Sequence, residues 1–579
     1  MTYHANVAEI IATLRASGEL DSLVSETLSI ELVETILTEA ARFAAEQIAP
    51  LNAVADRNGP RLQDGIVTTS PGWQALYTDW RTSGWNALSA PETWGGQQLP
   101  GVVQAACREI WNAASMSFGI GPTLTEGAIE ALIHHAPAPL QQTYLPRLVS
   151  GEWMGTMNLT EPQSGSDLSG IRTRAEPAGD GTYRIFGQKI FITYGEHDLA
   201  ENIVHLVLAR LPGAPEGTRG ISLFLVPKFL VNPDGSLGER NDVVCVGLEH
   251  KLGLHGSPTC TMQFGERGGA TGYLVGEENR GLNCMFTMMN NTRLAVGIQG
   301  VGIAERAYQQ ARAFAGERRQ GRADPASRES SPILAHPDVQ RMLLTMKALT
   351  AAARGICYKT AAAIDRSEHA SGEADRRRAL ATASLLTPIA KAFSTDSGVD
   401  VASLGIQVHG GMGYIEETGA AQHYRDARIA PIYEGTNGIQ AIDLVTRKIG
   451  QENGAVVEVL FGEMEAALAS APSAQDAAPL AEAIAALRTA TLHLTGCLAD
   501  GHRDDALASA TPYLRLFALT LGGVELLRLS SVGEAEVGAA RRHLSRFFNA
   551  AILVEAPGLG RAILAGGALP PAEAELALR

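Results

Sequence analysis

From Glu31 onward, apolar side chains recur at helical spacing, with Ile36, Ala40, Phe43, Ala44 and Ile48 on one stripe. The pattern predicts a helix that Pro50 kinks or ends and that the Asn-Gly-Pro at 58–60 stops. After a turn-rich segment from Ser89 to Pro100, helical patterning continues through Glu109 and Ile129 to Leu148, so the first domain reads as all-helical. The texture changes between about 153 and 275. Thr173 to Thr193 carries two β-prone runs joined at Gly179-Asp180-Gly181, a hairpin signal, and short apolar runs recur at 203–208, 221–226, 243–246 and 260–264. Helical periodicity returns after Asn279, where Met342, Met346, Leu349, Ala353 and Ile356 mark one face of a bundle helix. Ser367 to Arg378 and Pro325 to Pro337 are its candidate connections. Beyond Gly450, Leu480, Ile484, Leu487, Leu494 and Leu498 again share a helical face, and Ala471-Pro472-Ser473 marks a connection within this last portion.

The expected architecture is α+β, mostly α. A 1–30 extension precedes an N-terminal helical domain (31–152), a central β domain (153–278), a C-terminal helical bundle (279–450) and an additional helical domain (451–579). A chain of 579 residues with 45% hydrophobic composition is too long for one ordinary core and apolar enough for several. Its 62 acidic residues outnumber 47 basic ones without a basic block, which argues against nucleic acid as a main partner. The six cysteines lie far apart with no CxxC pair and no His cluster at zinc-ligand spacing, so no metal is expected and buried reduced thiols are. Charges interrupt the apolar residues at the N-terminus and nowhere do 18 apolar residues run together, so the expected setting is cytoplasmic, with no membrane span.

Four segments could carry chemistry. In 157–167, MNLTEPQSGSD, small and hydroxylic residues flank a proline-fixed bend, which suits a close approach to an anionic ligand and equally suits a plain turn. Gln188 to Thr193 presents an aromatic ring and a terminal hydroxyl, able to shield a planar cofactor or simply to build a strand. Gln407 to Tyr414 is glycine-rich but is not GxGxxG after a strand, and a helix C-cap would explain Gly410 and Gly411 as well as a ligand would. Arg425 to Asn437 sets one carboxylate, Glu434, between aliphatic and aromatic neighbours and a glycine. Partial burial there would raise its pKa and suit it to take a proton from carbon, whereas an ordinary acidic residue is a solvated loop charge.

Taken together and in this order, the four segments resemble the acyl-CoA dehydrogenase family over about 31–450. TEPQSGSD at 160–167 resembles the family's first signature and RDARIAPIYEGTNGIQ at 425–440 its second. The resemblance implies FAD between the β domain and the bundle, Glu434 as the base that removes the α-proton of an acyl-CoA thioester, and hydride transfer from the β-carbon to the flavin. The Glu434 N–H and a flavin ribityl hydroxyl would hold the developing enolate oxygen. By resemblance, Met157, Asn158, Leu159 and Thr160 together with Phe191, Ile192 and Thr193 line the flavin ring, Phe191 standing where many relatives carry Trp. Ser166 lies near cofactor or pantetheine, and Tyr433 and Gly435 border the substrate. Thr436 and Asn437 complete the cofactor set. Arg318, with His336 beside it, would face the pyrophosphate, and Gln407, Gly410 and Gly411 the adenosine, both from a neighbouring subunit. Asn290-Asn291-Thr292-Arg293 is similar to the family's Asp-x-x-Arg segment, whose arginine approaches CoA. Here Asn290 replaces the aspartate, and Thr292 fills the position where isovaleryl-CoA dehydrogenases place their base, so Glu434 has no competitor.

The segment EHKLGLHGSPT at 249–259 and the added domain after 450 resemble the larger bacterial branch that contains 3-methylmercaptopropionyl-CoA and broad-range acyl-CoA dehydrogenases. That likeness implies a homodimer, a trans-2-enoyl-CoA product and electrons passed to an electron-transfer flavoprotein, as in fatty acid β-oxidation. It leaves open the acyl chain and two rival readings: an acyl-CoA oxidase, and a flavin-bearing protein of DNA alkylation response.

Overall fold

The computed structural model describes residues 3–25, 28–567 and 570–579. The stripe read from Glu31 forms the helix Ile30–Phe43, capped by the Ser29 hydroxyl, with Val33, Leu37, Ala40 and Phe43 buried. Pro50 does not end this run. A π-helical turn, Ala44–Ile48, leads into Ala49–Asn58, where Pro50 occupies the first turn and its missing N–H is not needed. Gly59, at φ +59, stops it. The first domain is not purely helical, because Arg61–Gln63 and Ile66–Thr68 pair across Asp64-Gly65, both at positive φ. An Asp-Gly pair between short apolar runs is the sequence signal for that hairpin. Residues 3–23 of the extension are docked: Tyr3, Leu14 and Leu20 are buried, and Glu9 pairs with Arg541 of the last domain at 2.8 Å.

The middle of the chain builds an eight-stranded sheet. Its order is Val243–Leu248, Thr259–Phe264, Tyr183–Thr193, Ala270–Val275, Ile221–Pro227, Asn202–Arg210 and Trp153–Asn158, with Arg174–Pro177 beside Tyr183–Thr193. Trp153–Asn158, buried along its whole length, runs parallel to Asn202–Arg210, and the other neighbours in this order are antiparallel.

Three long helices, Gly281–Glu317, Pro337–His369 and Glu373–His409, form the bundle, which the short Ala420–Ala427 and the 437–448 segment complete. Most of the polar stretch 367–378 is helical rather than loop; only 370–372 connects the two helices, because a solvated helix face tolerates charge. Arg354 pairs with Glu109 at 2.6 Å and Glu305 at 2.9 Å, and Tyr358 donates to Glu109 at 2.6 Å, which locks the bundle to the first domain. In the last domain, Ala510–Leu529 is buried along most of its length and packs on Pro337–His369 and on Asn437–Asp443. Residues 536–564 are the one helical stretch among the described residues long and apolar enough to cross a membrane. It bends at Ile552, and Phe548, Leu553 and Ile563 are buried in the domain.

Candidate active site

The second signature begins on a helix, Ala420–Ala427, fastened to the β domain. Asp426 accepts from the Leu254 N–H at 2.6 Å, and Gly253 lies so close to Arg425 that a Cβ there would sit 2.3 Å from its carbonyl carbon. Leu254 belongs to the loop that leads into Pro258, whose carbonyl accepts from Tyr194 N–H at 2.8 Å, next to Thr193. The second signature is thereby tied to the end of the strand Tyr183–Thr193, whose Ile190 N–H donates to Thr160 O of the first signature at 3.0 Å. Arg425 itself pairs with Asp56 at 2.6 Å and Glu416 at 2.8 Å.

Past this helix the chain turns tightly. Asn437 N–H reaches back to the Pro431 carbonyl at 2.9 Å, which leaves Tyr433 to Thr436 at the tip of a closed loop. Glu434 and Gly435 both adopt the left-handed region, at φ +57 and +87. Glycine takes this conformation freely, and a Cβ at 435 would meet Gln440 Nε2 at 2.6 Å. For a glutamate it costs about 1–3 kcal/mol, a strain that its surroundings must hold. They do so through carbonyls: Arg293 Nε donates to Glu434 O at 3.4 Å, while Lys391 Nζ and Gln440 Nε2 donate to Gly435 O at 2.9 and 3.3 Å. The N–H groups of Glu434, Gly435 and Thr436 donate to no acceptor among the described residues, and the Glu434 carboxylate accepts no hydrogen bond from them. Half-buried Glu434 is pushed up to about 7 by loss of water, against the pull of the nearby Arg293 and Lys391 cations. A carboxylate with free oxygens and a near-neutral pKa is equipped to accept a proton.

The other flank of the site is a ledge on the sheet. The register with Thr259–Phe264 slips between Cys260 and Met262, where Ile190 and Phe191 oppose the single Thr261; within this bulge Phe191 takes φ +61 and stands 58% exposed. A bulge re-aims a side chain, and here it turns an aromatic ring off the sheet. Thr160 joins the ledge, since its carbonyl accepts from Ile190 N–H at 3.0 Å. Lys189 fixes the adjoining loop by donating to Leu159 O at 3.0 Å and Glu161 at 2.8 Å. Leu159, Thr160 and Thr193 are half-buried and Ser166 is exposed, whereas Met157, Asn158 and Ile192 are buried in the sheet. Asn158 donates to Thr156 Oγ1 at 2.9 Å, so it supports the ledge from within.

The remaining predicted residues separate into two groups. Arg293, 8% exposed, holds the Glu434 carbonyl; the Tyr433 hydroxyl is committed to Gln299; Thr436 caps the next helix through Ile439 N–H; and Asn437 joins Lys391, Thr395 and Asp396. The Asn290 side chain lies outside the described residues. Arg318, Gln407, Gly410 and Gly411 are exposed together at the far end of the bundle, where Phe314 stacks on His409 at 4.4 Å, and His336 Nε2 donates to Gln320 O at 2.8 Å. Arg318 follows Arg293 by 25 residues, about 37 Å along a helix axis. One chain therefore does not gather these groups around Glu434.

Sequence reasoning passed over Lys391 and Gln299, both fully buried, and the buried Glu161–Lys189 pair that braces the ledge loop. For Lys391 a signal exists: a lone cation inside the apolar run 388–393. Nothing local distinguishes Gln299. Both ring nitrogens of His255 are engaged, with Lys251 O at 2.8 Å and Asp56 at 3.0 Å, so this side chain stitches the β domain to the first domain.

A helical domain, a sheet fastened to the second signature at Asp426, and a bundle that carries a strained glutamate with a raised pKa make up the architecture. Family models for the N-terminal, middle and C-terminal domains of acyl-CoA dehydrogenases match residues 31–152, 156–266 and 279–449, and a model described as acetyl-CoA dehydrogenase C-terminal like matches 460–569. The chain is 47% identical to the 3-methylmercaptopropionyl-CoA dehydrogenase of Ruegeria pomeroyi over 96% of its own length and 97% of that protein. It is 31% identical to a broad-specificity linear acyl-CoA dehydrogenase of Mycobacterium tuberculosis over 92% and 87%. The protein belongs to the acyl-CoA dehydrogenase family and is an oxidoreductase of its larger branch with an added C-terminal domain. The fold is shared with a Bacillus anthracis acyl-CoA dehydrogenase complexed with FAD (TM-score 0.76, 22% identity, 96% of this chain and 91% of that one). It is shared equally with Caenorhabditis elegans ACDH-11 in complex with C11-CoA (TM-score 0.76, 22% identity, 94% and 91%).

Proposed function

We propose that the protein is an FAD-dependent dehydrogenase of acyl-CoA thioesters in which Glu434 removes the α-proton, giving a trans-2-enoyl-CoA. The observation that carries this reading is the Glu434 carboxylate itself, without a hydrogen bond among the described residues, desolvated and displayed on a loop whose backbone is held in place from behind. The ledge fits a flat cofactor: an aromatic ring more than half exposed on a bulged strand, with the half-buried Thr160 and Thr193 close by in the same ledge, is costly to leave in water and suited to cover a ring system. Phe191, Thr193, Leu159 and Thr160 would hold FAD there. When bound, it supplies the hydride acceptor for the β-carbon.

The α-hydrogen of a thioester is a weak acid, so its removal needs a base and donors for the oxygen that gains charge. Glu434 receives the proton, and the free N–H groups of the same loop are the protein's donors for that oxygen. A single donor of this kind is commonly worth about 3–4 kcal/mol. The acid formed at Glu434 is favoured by the same loss of water that raises its pKa.

We take 3-methylmercaptopropionyl-CoA or a short- to medium-chain acyl-CoA as the substrate, a choice supported by the similarity to a 3-methylmercaptopropionyl-CoA dehydrogenase and to a butyryl-CoA dehydrogenase. We assign the electrons to an electron-transfer flavoprotein and the functional unit to a cytoplasmic homodimer, since Arg318, Gln407, Gly410 and Gly411 could serve a cofactor near Glu434 only from a second chain. The test is anaerobic flavin bleaching with a panel of acyl-CoA thioesters that includes the methylthio compound. Wild-type protein is expected to bleach, and Glu434→Gln to retain FAD and bind acyl-CoA without bleaching. Rapid bleaching by the variant would refute the assignment, and, in a parallel assay with air admitted, peroxide release in place of flavoprotein reduction would make the enzyme an oxidase.

A further inference from the structure

Lys391 sits on the Glu373–His409 helix with no solvent exposure, between the apolar Ile389, Ala390, Ala392 and Phe393. Burying an ammonium group in such a run is unfavourable unless its partners repay the loss of water. Its partners lie in the loop that carries the base: Gly435 O and Asn437 Oδ1, each 2.9 Å from Nζ. Asn437 is held in turn by its amide nitrogen, which donates to Ala392 O at 3.1 Å, Thr395 Oγ1 at 3.0 Å and Asp396 at 2.8 Å. The amine thus fixes the peptide groups on the C-terminal side of Glu434, while Arg293 fixes the carbonyl of Glu434 itself. A hydrogen-bond donor without charge could satisfy the same two oxygens. A cation does more, because it also attracts the neighbouring carboxylate.

We propose that Lys391 is a positioning residue for the α-proton base: it clamps the Glu434 loop and supplies the positive charge against which the Glu434 carboxylate ionises. This rests on the reading of Glu434 as the base. Burial lowers the Lys391 amine to about 7, with Glu434 and Asp396 opposing and Arg293 assisting, so the amine and the base titrate over one pH range. Such a pair loses its protons in steps that belong to the pair. The other charged groups at this place are Arg293 on the Gly281–Glu317 helix, Asp396 on the lysine's own helix, and Asp443, Arg447 and Lys448 on the 437–448 segment. The Tyr433 phenol faces Glu434 from its own loop.

The experiment is stopped-flow bleaching of the FAD-loaded enzyme across pH for wild type, Lys391→Met, Lys391→Arg and Glu434→Gln. Losing a cation beside a carboxylate raises its pKa by about one unit. Lys391→Met should therefore carry the acid limb from about 7 to about 8, which cuts the rate at pH 7 by about fivefold. Lys391→Arg keeps a permanent charge and should hold the limb at or below its wild-type position. The proposal is overturned if Lys391→Met leaves the limb unmoved, whether or not the rate falls, or if Lys391→Arg shifts it as far as Lys391→Met does. If Lys391→Met does not fold with its flavin, Lys391→Gln, which retains a donor but no charge, must show the same displaced limb, and an unmoved limb there also overturns the proposal. Bleaching by Glu434→Gln would instead remove the base assignment on which the proposal rests.

Discussion

Glu434 combines three properties that rarely coincide in a carboxylate: a left-handed backbone, free oxygens and a pKa raised from 4.5 to about 7. Desolvation penalises the charged form, so the proton stays on to higher pH and the carboxylate is free to take a proton only as pH rises through about 7. Wild-type bleaching is expected to fall about tenfold for each pH unit below that value, measured under anaerobic single-turnover conditions. The same shift acts on stability. The folded state binds this proton more tightly than the unfolded chain, so Glu434 destabilises the protein above about 7, and that cost vanishes as pH falls below the unfolded value. Glu434→Gln should accordingly raise thermal stability at pH 8 by about 1–3 kcal/mol and have little effect at pH 4, as scanning calorimetry would show.

At the scale of elements, the site depends on two departures from regular geometry. The bulge between Tyr183–Thr193 and Thr259–Phe264 turns Phe191 outward, and consecutive left-handed residues fold back the loop after Ala420–Ala427. Gly435 is the less replaceable of the loop pair, because a methyl group would be both conformationally strained and 2.6 Å from Gln440 Nε2. Gly435→Ala is expected to cost about 1–3 kcal/mol of stability and to reduce the bleaching rate at least tenfold while FAD content is kept, since the ledge lies on the other domain. Glu434, Gly435 and Thr436 are legible in the sequence because a glycine after an acidic residue in an apolar segment is a local feature. Gln299 is not, because its partner is 134 residues away, and although the apolar run 388–393 marks Lys391 as unusual, its partner Gly435 lies 44 residues further on.

At the scale of the molecule, the groups expected around one cofactor lie at opposite ends of the bundle, about 37 Å apart along Gly281–Glu317. If two chains complete each site, a hybrid of a Glu434→Gln chain and an Arg318→Ala chain contains one site with both residues intact. Co-refolding the two inactive variants should then restore about a quarter of wild-type activity at random pairing, while each alone stays inactive. No recovery on mixing would place Arg318 outside the site. The added domain bears on the Glu434 end of the bundle, since Ala510–Leu529 packs on Asn437–Asp443, the helix that follows the Glu434 loop.

The order of helical, β and helical portions was legible in the sequence, because apolar periods of 3.6 and 2 are set by local backbone geometry. Met342 to Ile356 and Leu480 to Leu494 are buried on the faces that their spacing predicts. The candidate base was legible for the same local reason. Only the tertiary structure decided that Pro50 sits within a continuing helical run, that 367–378 is mostly helix, and that residues 3–23 are stitched to the last domain by Glu9 and Arg541. It alone also placed a buried lysine and a buried arginine behind Glu434, since desolvation and Coulomb attraction depend on distances in space, which no spacing along the chain encodes.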